Sequence, residues 1–310
     1  MCRASSPTSC DILEVLKEQE INKFVPLRLP CVGRVQLEFY IQALSLGMKK
    51  IITVQCDDAS CRCKKGSENS TNNLARLKGL LKGAGYNGNV LTQIKNPPKA
   101  VYHTEKCVGC DKCEFICPYH AIEAQPLATP VINLEKCKGC GACALVCPHF
   151  AIQLQGFEYE PSSQAIKRYK AEAESKVKGA SPLVLVFCCQ WAEFSALDRV
   201  KDGFLKDNAV IVEVPCFNGL DPVHVLEAFR SGFSGVLAVV CSDDDCKLEE
   251  GRQSAKQNAS VLAKALEKLN LTDRFEICNT SPRYIGEFDS KVESFMAKIS
   301  SLPKLTQGGN

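Results

Sequence analysis

Two short runs concentrate soft metal ligands in this chain. Cys107, Cys110, Cys113 and Cys117 precede Pro118, and Cys137, Cys140, Cys143 and Cys147 precede Pro148. Each run reads C-x2-C-x2-C-x3-C-P. The x2 spacings let one loop deliver three thiolates to one inorganic core, and the fourth then comes from the other run. The chemistry that fits is a pair of 4Fe-4S cubanes, one on Cys107, Cys110, Cys113 and Cys147, the other on Cys137, Cys140, Cys143 and Cys117. Gly109 and Gly139 free the backbone inside the ligand loops, and the two prolines redirect the chain after the last ligand. Zinc is the competing reading, but crossed runs of this kind match zinc spacings poorly.

The remaining cysteines, out of 20 in the chain, follow a second pattern. The segments on either side of the runs match each other at an offset of 185 residues, without a gap from Pro30 to Gly66. Pro30-Cys31 pairs with Pro215-Cys216, Cys56 with Cys241, Asp58 with Asp243, Cys61 with Cys246 and Gly66 with Gly251. Three cysteines kept in one register indicate a duplicated domain.

These residues need elements to position them. In the later copy, apolar runs at 183–188, 209–214, 235–240 and 275–278 predict buried strands. Asp221-Pro222 starts a helix over 223–230 that Gly232 ends, and helices follow at 252–269 and 286–300. Strands alternating with helices imply a parallel sheet. Cys188 and Cys189, Cys216, Cys241 and Cys278 then fall at strand ends, with Cys246 on a loop. The carboxyl ends of parallel strands form one shared edge, which is where ligands bind. The earlier copy predicts a helix at 10–20 and strands Val25–Leu29, Lys50–Val54 and Val90–Ile94. It starts where its first strand would have ended, so its sheet is expected one strand short. The expected fold is α/β, two related parallel-sheet domains flanking a small α+β ferredoxin-like domain. Its boundaries are 1–95, 96–156, a linker at 157–182 with a surface helix, 183–303, and a tail at 304–310.

The middle segment resembles the two-cluster bacterial ferredoxins. FCCQWAEF (187–194) and VPCFNGLDPVHVLEAFRSGFSGVLAVVCSDDDC (214–246) resemble the delta-subunit family of methyl-viologen-reducing hydrogenases, more weakly matched by 1–95. That resemblance implies a 2Fe-2S cluster and electron transfer to heterodisulfide-reductase-type flavoproteins. The implied ligands are Cys189, Cys216, Cys241 and Cys246. The chain departs from the family at two places: Cys189-Gln190-Trp191-Ala192 lacks the motif's second cysteine, and Cys216-Phe217-Asn218-Gly219 replaces Cys-Ser-Gly-Arg. Cys188 is the alternative to Cys189. In the earlier copy a second 2Fe-2S cluster on Cys2, Cys31, Cys56 and Cys61 is the favoured reading, with Cys10 or Cys63 as alternative fourth ligand. A degenerate copy kept for docking is the other reading.

A net charge of +3 without a basic block disfavours nucleic acid as partner. No apolar run approaches the ~18 residues that cross a bilayer, so no membrane insertion is expected. The N-terminus lacks a signal core, and the cysteines are read as thiolates in a reducing, anaerobic cytoplasm. GxxxxGK[ST] does not occur, and the one GxGxxG match, Gly83 to Gly88, comes just before the strand expected at Val90–Ile94 instead of following a strand and opening a helix, so no flavin or nucleotide is expected. His224 is read as a surface residue, Asp243–Asp245 as a solvated loop, and Trp191 as a cluster shield or core residue. His103, His120 and His149 have no ligand spacing. The function expected is a non-catalytic relay subunit of an oxidoreductase complex. Its partners would be a heterodisulfide-reductase-like flavoprotein and other redox subunits, in complexes of hydrogenase, formate dehydrogenase or benzoyl-CoA reductase type. The alternatives are a thiol–disulfide reductase using Cys188-Cys189, or a docking scaffold.

Overall fold

The computed structural model describes residues 25, 27, 29, 31–58, 61, 63–86, 90–95, 99–125, 128–155, 157–177, 182–189, 192, 205–206, 208–246, 248, 251–281, 283–284 and 286–305. The chain forms two compact units, Met1–Lys99 with Leu134–Gly139, and Ala100–Asn133 with Cys140–Asn310. Among the described residues no helix is long and apolar enough to cross a membrane.

In the first unit a 3-10 turn at Val32–Arg34 leads into helix α1 (Leu37–Ser45), strand β1 (Ile51–Gln55), helix α2 (Gly66–Gly83) and strand β2 (Leu91–Lys95). The two strands pair in parallel from Ile51↔Leu91 to Gln55↔Lys95, and α2 provides the long crossover that parallel pairing requires. Tyr40, Leu74, Leu77 and Leu91 form the buried core between them. Each strand sits one residue later than its expected start. Of the strand expected at Val25–Leu29, Leu29 makes an isolated bridge and Val25 and Leu27 are not in a strand. The helix expected at 10–20, with Cys2 and Cys10, lies outside the described residues.

The duplication holds element by element. Shifted by 185 residues, the 3-10 turn, α1 and α2 land on Phe217–Gly219, Pro222–Arg230 and Gly251–Lys268, each an element of the second unit with those bounds.

The second unit begins with strand β3 (Ala100–Tyr102), helix α3 (Lys112–Ile116), the hairpin β4 (Ile122–Gln125) and β5 (Ala128–Ile132), helix α4 (Ala142–Leu145) and strand β6 (Ile152–Leu154). β3 pairs antiparallel with β6, and β4 with β5. The two halves repeat each other's backbone. Asp111 and Gly141 cap α3 and α4 in left-handed conformations, and His120 and Phe150 share positive φ.

Helix α5 (Tyr159–Lys176) follows. One face of this expected surface helix is not at the surface. Ile166 and Ala173 are buried in the core that also holds Leu185, Val210, Val225 and Phe233. Beyond α5 come β7 (Val184–Cys189), β8 (Leu205–Lys206), β9 (Ala209–Val214), α6 (Pro222–Arg230), β10 (Gly235–Cys241), α7 (Gly251–Lys268), β11 (Phe275–Thr280) and α8 (Glu287–Ser301). The sheet order is β11-β10-β7-β9-β8. All pairs are parallel except β8 with β9. The sequence did not announce β8, which is only two residues long. Every residue of β7 is buried, as a central parallel strand requires. Asp221 accepts a hydrogen bond from the Val223 N–H at 2.8 Å and Pro222 opens α6, the start expected from Asp-Pro.

Candidate metal centres

One cavity of the second unit is lined by Cys107, Cys110, Cys113 and Cys147, the four thiols assigned to one cubane from their spacing. Tyr102, Pro130, His149, Ala151 and Ile152 are among the other residues of its walls. The chain supplies donors to the sulfurs: the Ala151 N–H donates to Cys147 Sγ, and its counterpart in the other half, the Ala121 N–H, donates to Cys117 Sγ, both at 3.3 Å. The Tyr102 hydroxyl lies 2.9 Å from Cys113 Sγ. Burial pushes the Cys113 thiol up, while that hydroxyl pulls the other way. Cys110 is exposed at this site. A set of soft donors with N–H and O–H groups aimed at the sulfurs fits an iron–sulfur cluster.

The other expected set divides between the units. Cys140 and Cys143 are buried and Cys117 half-buried in the second unit, while Cys137 is buried in the first. Within the first unit, Lys99 holds the Cys137 segment. Its Nζ donates to the carbonyls of Leu134 at 2.7 Å and Cys137 at 2.8 Å, and pairs with Asp57 at 3.4 Å. Lys99 is buried, because those three oxygens compensate its charge.

In the parallel sheet, β9 and β10 flank β7, so the chain reverses its direction of travel around β7. Such a switch point opens a crevice at the carboxyl ends of the strands. Cys189 ends β7, Cys241 ends β10, Cys216 follows β9 and Cys246 follows the 3-10 turn Asp243–Asp245. Cys189 Sγ is 3.9 Å from Cys241 Sγ. Hydrogen bonds to Cys189 and then Cys246 push the Cys241 thiol well up. Cys216 and Cys246 share one buried group, and the half-buried Cys241 packs against it. Thiols crowded this way resist ionising together unless a metal supplies positive charge, and that need fits a cluster. Successive strand residues face opposite sides. Cys188 accordingly turns from this edge and contacts the Cys189 carbonyl at 3.6 Å.

Cys278 does not join them. It pairs with Val239, two residues before the end of β11, and burial pushes its thiol up to about 11. Asp245 is also not the solvated residue expected. It accepts from Ser281 Oγ at 2.6 Å, Ser242 Oγ at 2.7 Å and Arg283 Nε at 2.9 Å, and these donors hold its carboxyl below the usual range. It thereby fixes the loop between Cys241 and Cys246. Trp191 lies outside the described residues.

The first unit repeats the arrangement. Cys31, Cys56 and Cys61 are buried and Cys63 is exposed. A Cβ on Gly66 would lie 2.4 Å from Cys31 Sγ, 3.2 Å from Cys63 Cβ and 3.4 Å from Cys61 Sγ, so the thiols enclose the start of α2. The Ser67 N–H donates to Cys61 Sγ at 3.3 Å. A hydrogen bond from Cys56, with backbone donors at the helix start, lowers the Cys61 thiol to about 6. His224, expected at the surface, is buried in the second unit against Tyr159, with ring centroids 6.1 Å apart. Burial lowers its pKa to about 4.

Sequence reasoning missed Tyr102, Lys99 and Asp245. Each acts through a contact distant in sequence from its partner or on a loop with no marked spacing, so no local pattern announces it.

Known proteins match the same segments. Residues 1–101 and 184–303 match the family described as methyl-viologen-reducing hydrogenase, delta subunit, and residues 106–151 match the 4Fe-4S dicluster domain. The chain is 29% identical over 210 residues to one subunit of the ferredoxin/F420H2-dependent CoB-CoM heterodisulfide reductase of Methanosarcina acetivorans, covering 67% of this chain and 26% of that protein. It is equally similar, over the same shares, to the corresponding subunit of the ferredoxin:CoB-CoM heterodisulfide reductase of Methanosarcina mazei. The chain thus spans about a quarter of the length of these two relatives. A third similarity, 26% over 92 residues, is to an iron-sulfur subunit of the F420-non-reducing hydrogenase vhc of Methanococcus voltae, covering 29% of this chain and 64% of that protein.

Proposed function

Because this chain belongs to the methyl-viologen-reducing hydrogenase delta-subunit family and carries a 4Fe-4S dicluster domain within it, we propose that it relays single electrons inside a multisubunit oxidoreductase complex. It is an iron–sulfur electron-transfer subunit related to heterodisulfide reductase and hydrogenase subunits. The finer reading is that one partner is a heterodisulfide-reductase-like flavoprotein and the other a further redox subunit, of hydrogenase, formate dehydrogenase or benzoyl-CoA reductase type. The setting is an anaerobic cytoplasm. Two α/β domains, 1–95 and 183–303, would flank the ferredoxin domain at 96–156.

The two crossed cysteine sets would hold 4Fe-4S clusters. Cys189, Cys216, Cys241 and Cys246 would hold a 2Fe-2S cluster, and Cys31, Cys56 and Cys61 with Cys2 a second one. Such clusters supply one-electron exchange when bound. The protein's part is to fix the thiols, donate to their sulfurs and keep water from the site.

The observation that carries this reading is the convergence on one sheet edge of the second unit of three cysteines from strand ends and a fourth from the loop after β10. A disulfide reductase would need Cys188 and Cys189 to act as a pair, yet Cys188 faces away from Cys241 and is buried. The test uses the full chain, purified anaerobically. The reduced protein should pass electrons one at a time to a viologen dye and should not turn over a small disulfide. Disulfide turnover that disappears in Cys188→Ser would overturn the relay in favour of thiol chemistry.

A further inference from the structure

Gly141 opens the second ligand loop's helix α4, one residue after Cys140, and Gly219 ends the 3-10 turn that follows Cys216. Both belong to the second unit, and they touch backbone to backbone. A Cβ on Gly141 would lie 2.5 Å from Gly219 Cα and 3.2 Å from its nitrogen. A Cβ on Gly219 would lie 3.3 Å from the Cys140 carbonyl oxygen and 3.4 Å from Gly141 Cα. Leu154 Cδ2 closes the contact at 3.6 Å from the first of these positions and 3.7 Å from the second. Cys140, Ala142, Cys216, Cys246 and Leu248 share one buried apolar group, with Ile116 and Cys241 packed against it.

We propose that the Gly141–Gly219 contact is the electron bridge between the ferredoxin centre ligated by Cys140 and the sheet-edge centre ligated by Cys216. The inference rests on the proposed iron–sulfur occupancy of both sites. Two features of the contact suit that role. Electron transfer through protein weakens steeply with the gap to be crossed, and here no side chain separates the loops. Close packing also keeps water out, so little solvent reorganises as charge moves. One electron crosses per event: one centre is oxidised by one equivalent and the other reduced by one. No bond or proton changes place.

The two glycines are not equivalent as probes. Gly141 has φ of +85°, so any side chain there strains the backbone as well as the contact. Gly219 has no positive φ, so a substitution there tests space alone. The experiment compares wild type, Gly219→Ala and Gly219→Leu as full chains, with Gly79→Leu as control, since nothing lies within 4 Å of a Cβ at Gly79. Iron and sulfide content report occupancy. EPR of the fully reduced protein reports magnetic interaction between the two centres, and flash reduction with visible spectroscopy reports electron exchange between them. In Gly219→Leu the content should stay at the wild-type level, the magnetic interaction should weaken, and exchange should slow at least tenfold. Gly219→Ala should lie between, and the control should match wild type. Wild-type interaction and exchange in an iron-replete Gly219→Leu protein would overturn the bridge. If that variant loses iron, the alanine variant decides, slower exchange supporting the bridge and unchanged exchange overturning it. A wild-type chain lacking the sheet-edge centre would instead refute the occupancy on which the inference rests.

Discussion

Tyr102 is placed to tune the proposed centre at Cys113 without ligating it. Its hydroxyl sits 2.9 Å from Cys113 Sγ. A hydrogen bond donated to a ligating sulfur stabilises the reduced, more negative cluster and raises its potential. Tyr102→Phe removes about 1 kcal/mol of such stabilisation, a fall of about 40 mV for a one-electron couple. EPR-monitored titration should show one 4Fe-4S potential falling and the other unmoved; two unmoved potentials would exclude the bond as a tuning device. His224 makes a different residue-scale prediction. Its folded pKa of about 4 lies below the ordinary 6.5, so the unfolded chain binds more protons between those values. The penalty is absent above about pH 6.5, grows as pH falls and is complete below about 4, reaching up to ~3 kcal/mol. His224→Leu should remove that part of the acid sensitivity, seen as a smaller loss of thermal stability between about pH 7.5 and pH 5 than in wild type. The meeting of Cys107, Cys110, Cys113 and Cys147 around one cavity was legible, because the spacing within each run is local in sequence. Nothing of the kind was legible for Tyr102 or His224, whose roles come from burial and from neighbours brought in by the fold. Gly219 lies between these cases. The departure of Cys216-Phe217-Asn218-Gly219 from the family motif was visible in the sequence, but the close approach of Gly141 that exploits it was not.

Elements position the thiols through their ends rather than their faces. β7, β9 and β10 each deliver a cysteine at or just past the carboxyl terminus, and α6 returns the chain from β9 to β10 so that those two termini align. This much followed from apolar run lengths and the Asp221-Pro222 start, and the strands and helices of the later copy fall within two residues of their expected bounds. The offset of 185 residues likewise carried whole elements, turn for turn and helix for helix. What the pattern could not convey was the burial of α5 and the anchoring of the Cys241–Cys246 loop. Asp245 provides that anchor by gathering Ser242, Ser281 and Arg283. Asp245→Ala strips the buried Ser281 hydroxyl of its partner at a cost of about 1–3 kcal/mol. Chelator challenge should then draw iron from the sheet-edge centre roughly tenfold faster, while the 4Fe-4S signals persist. Unchanged iron loss would show that the strand ends alone hold the loop.

At the scale of the molecule, two segments of the chain match the delta-subunit family and the segment between them matches the 4Fe-4S dicluster domain. Single-electron carriers suffice for a relay, whereas two-electron chemistry would need an organic cofactor from a partner. The central claim is therefore occupancy: thiol sets of two kinds, each with its own cluster type. Iron and acid-labile sulfide determination combined with Mössbauer spectroscopy on the anaerobically purified full chain tests it most directly. About twelve iron atoms per chain are expected, roughly eight in 4Fe-4S and four in 2Fe-2S components. About ten, with half the 2Fe-2S component, would return the N-terminal copy to a docking role and leave the relay standing. Zinc in place of iron, or iron confined to 4Fe-4S clusters, would contradict the account.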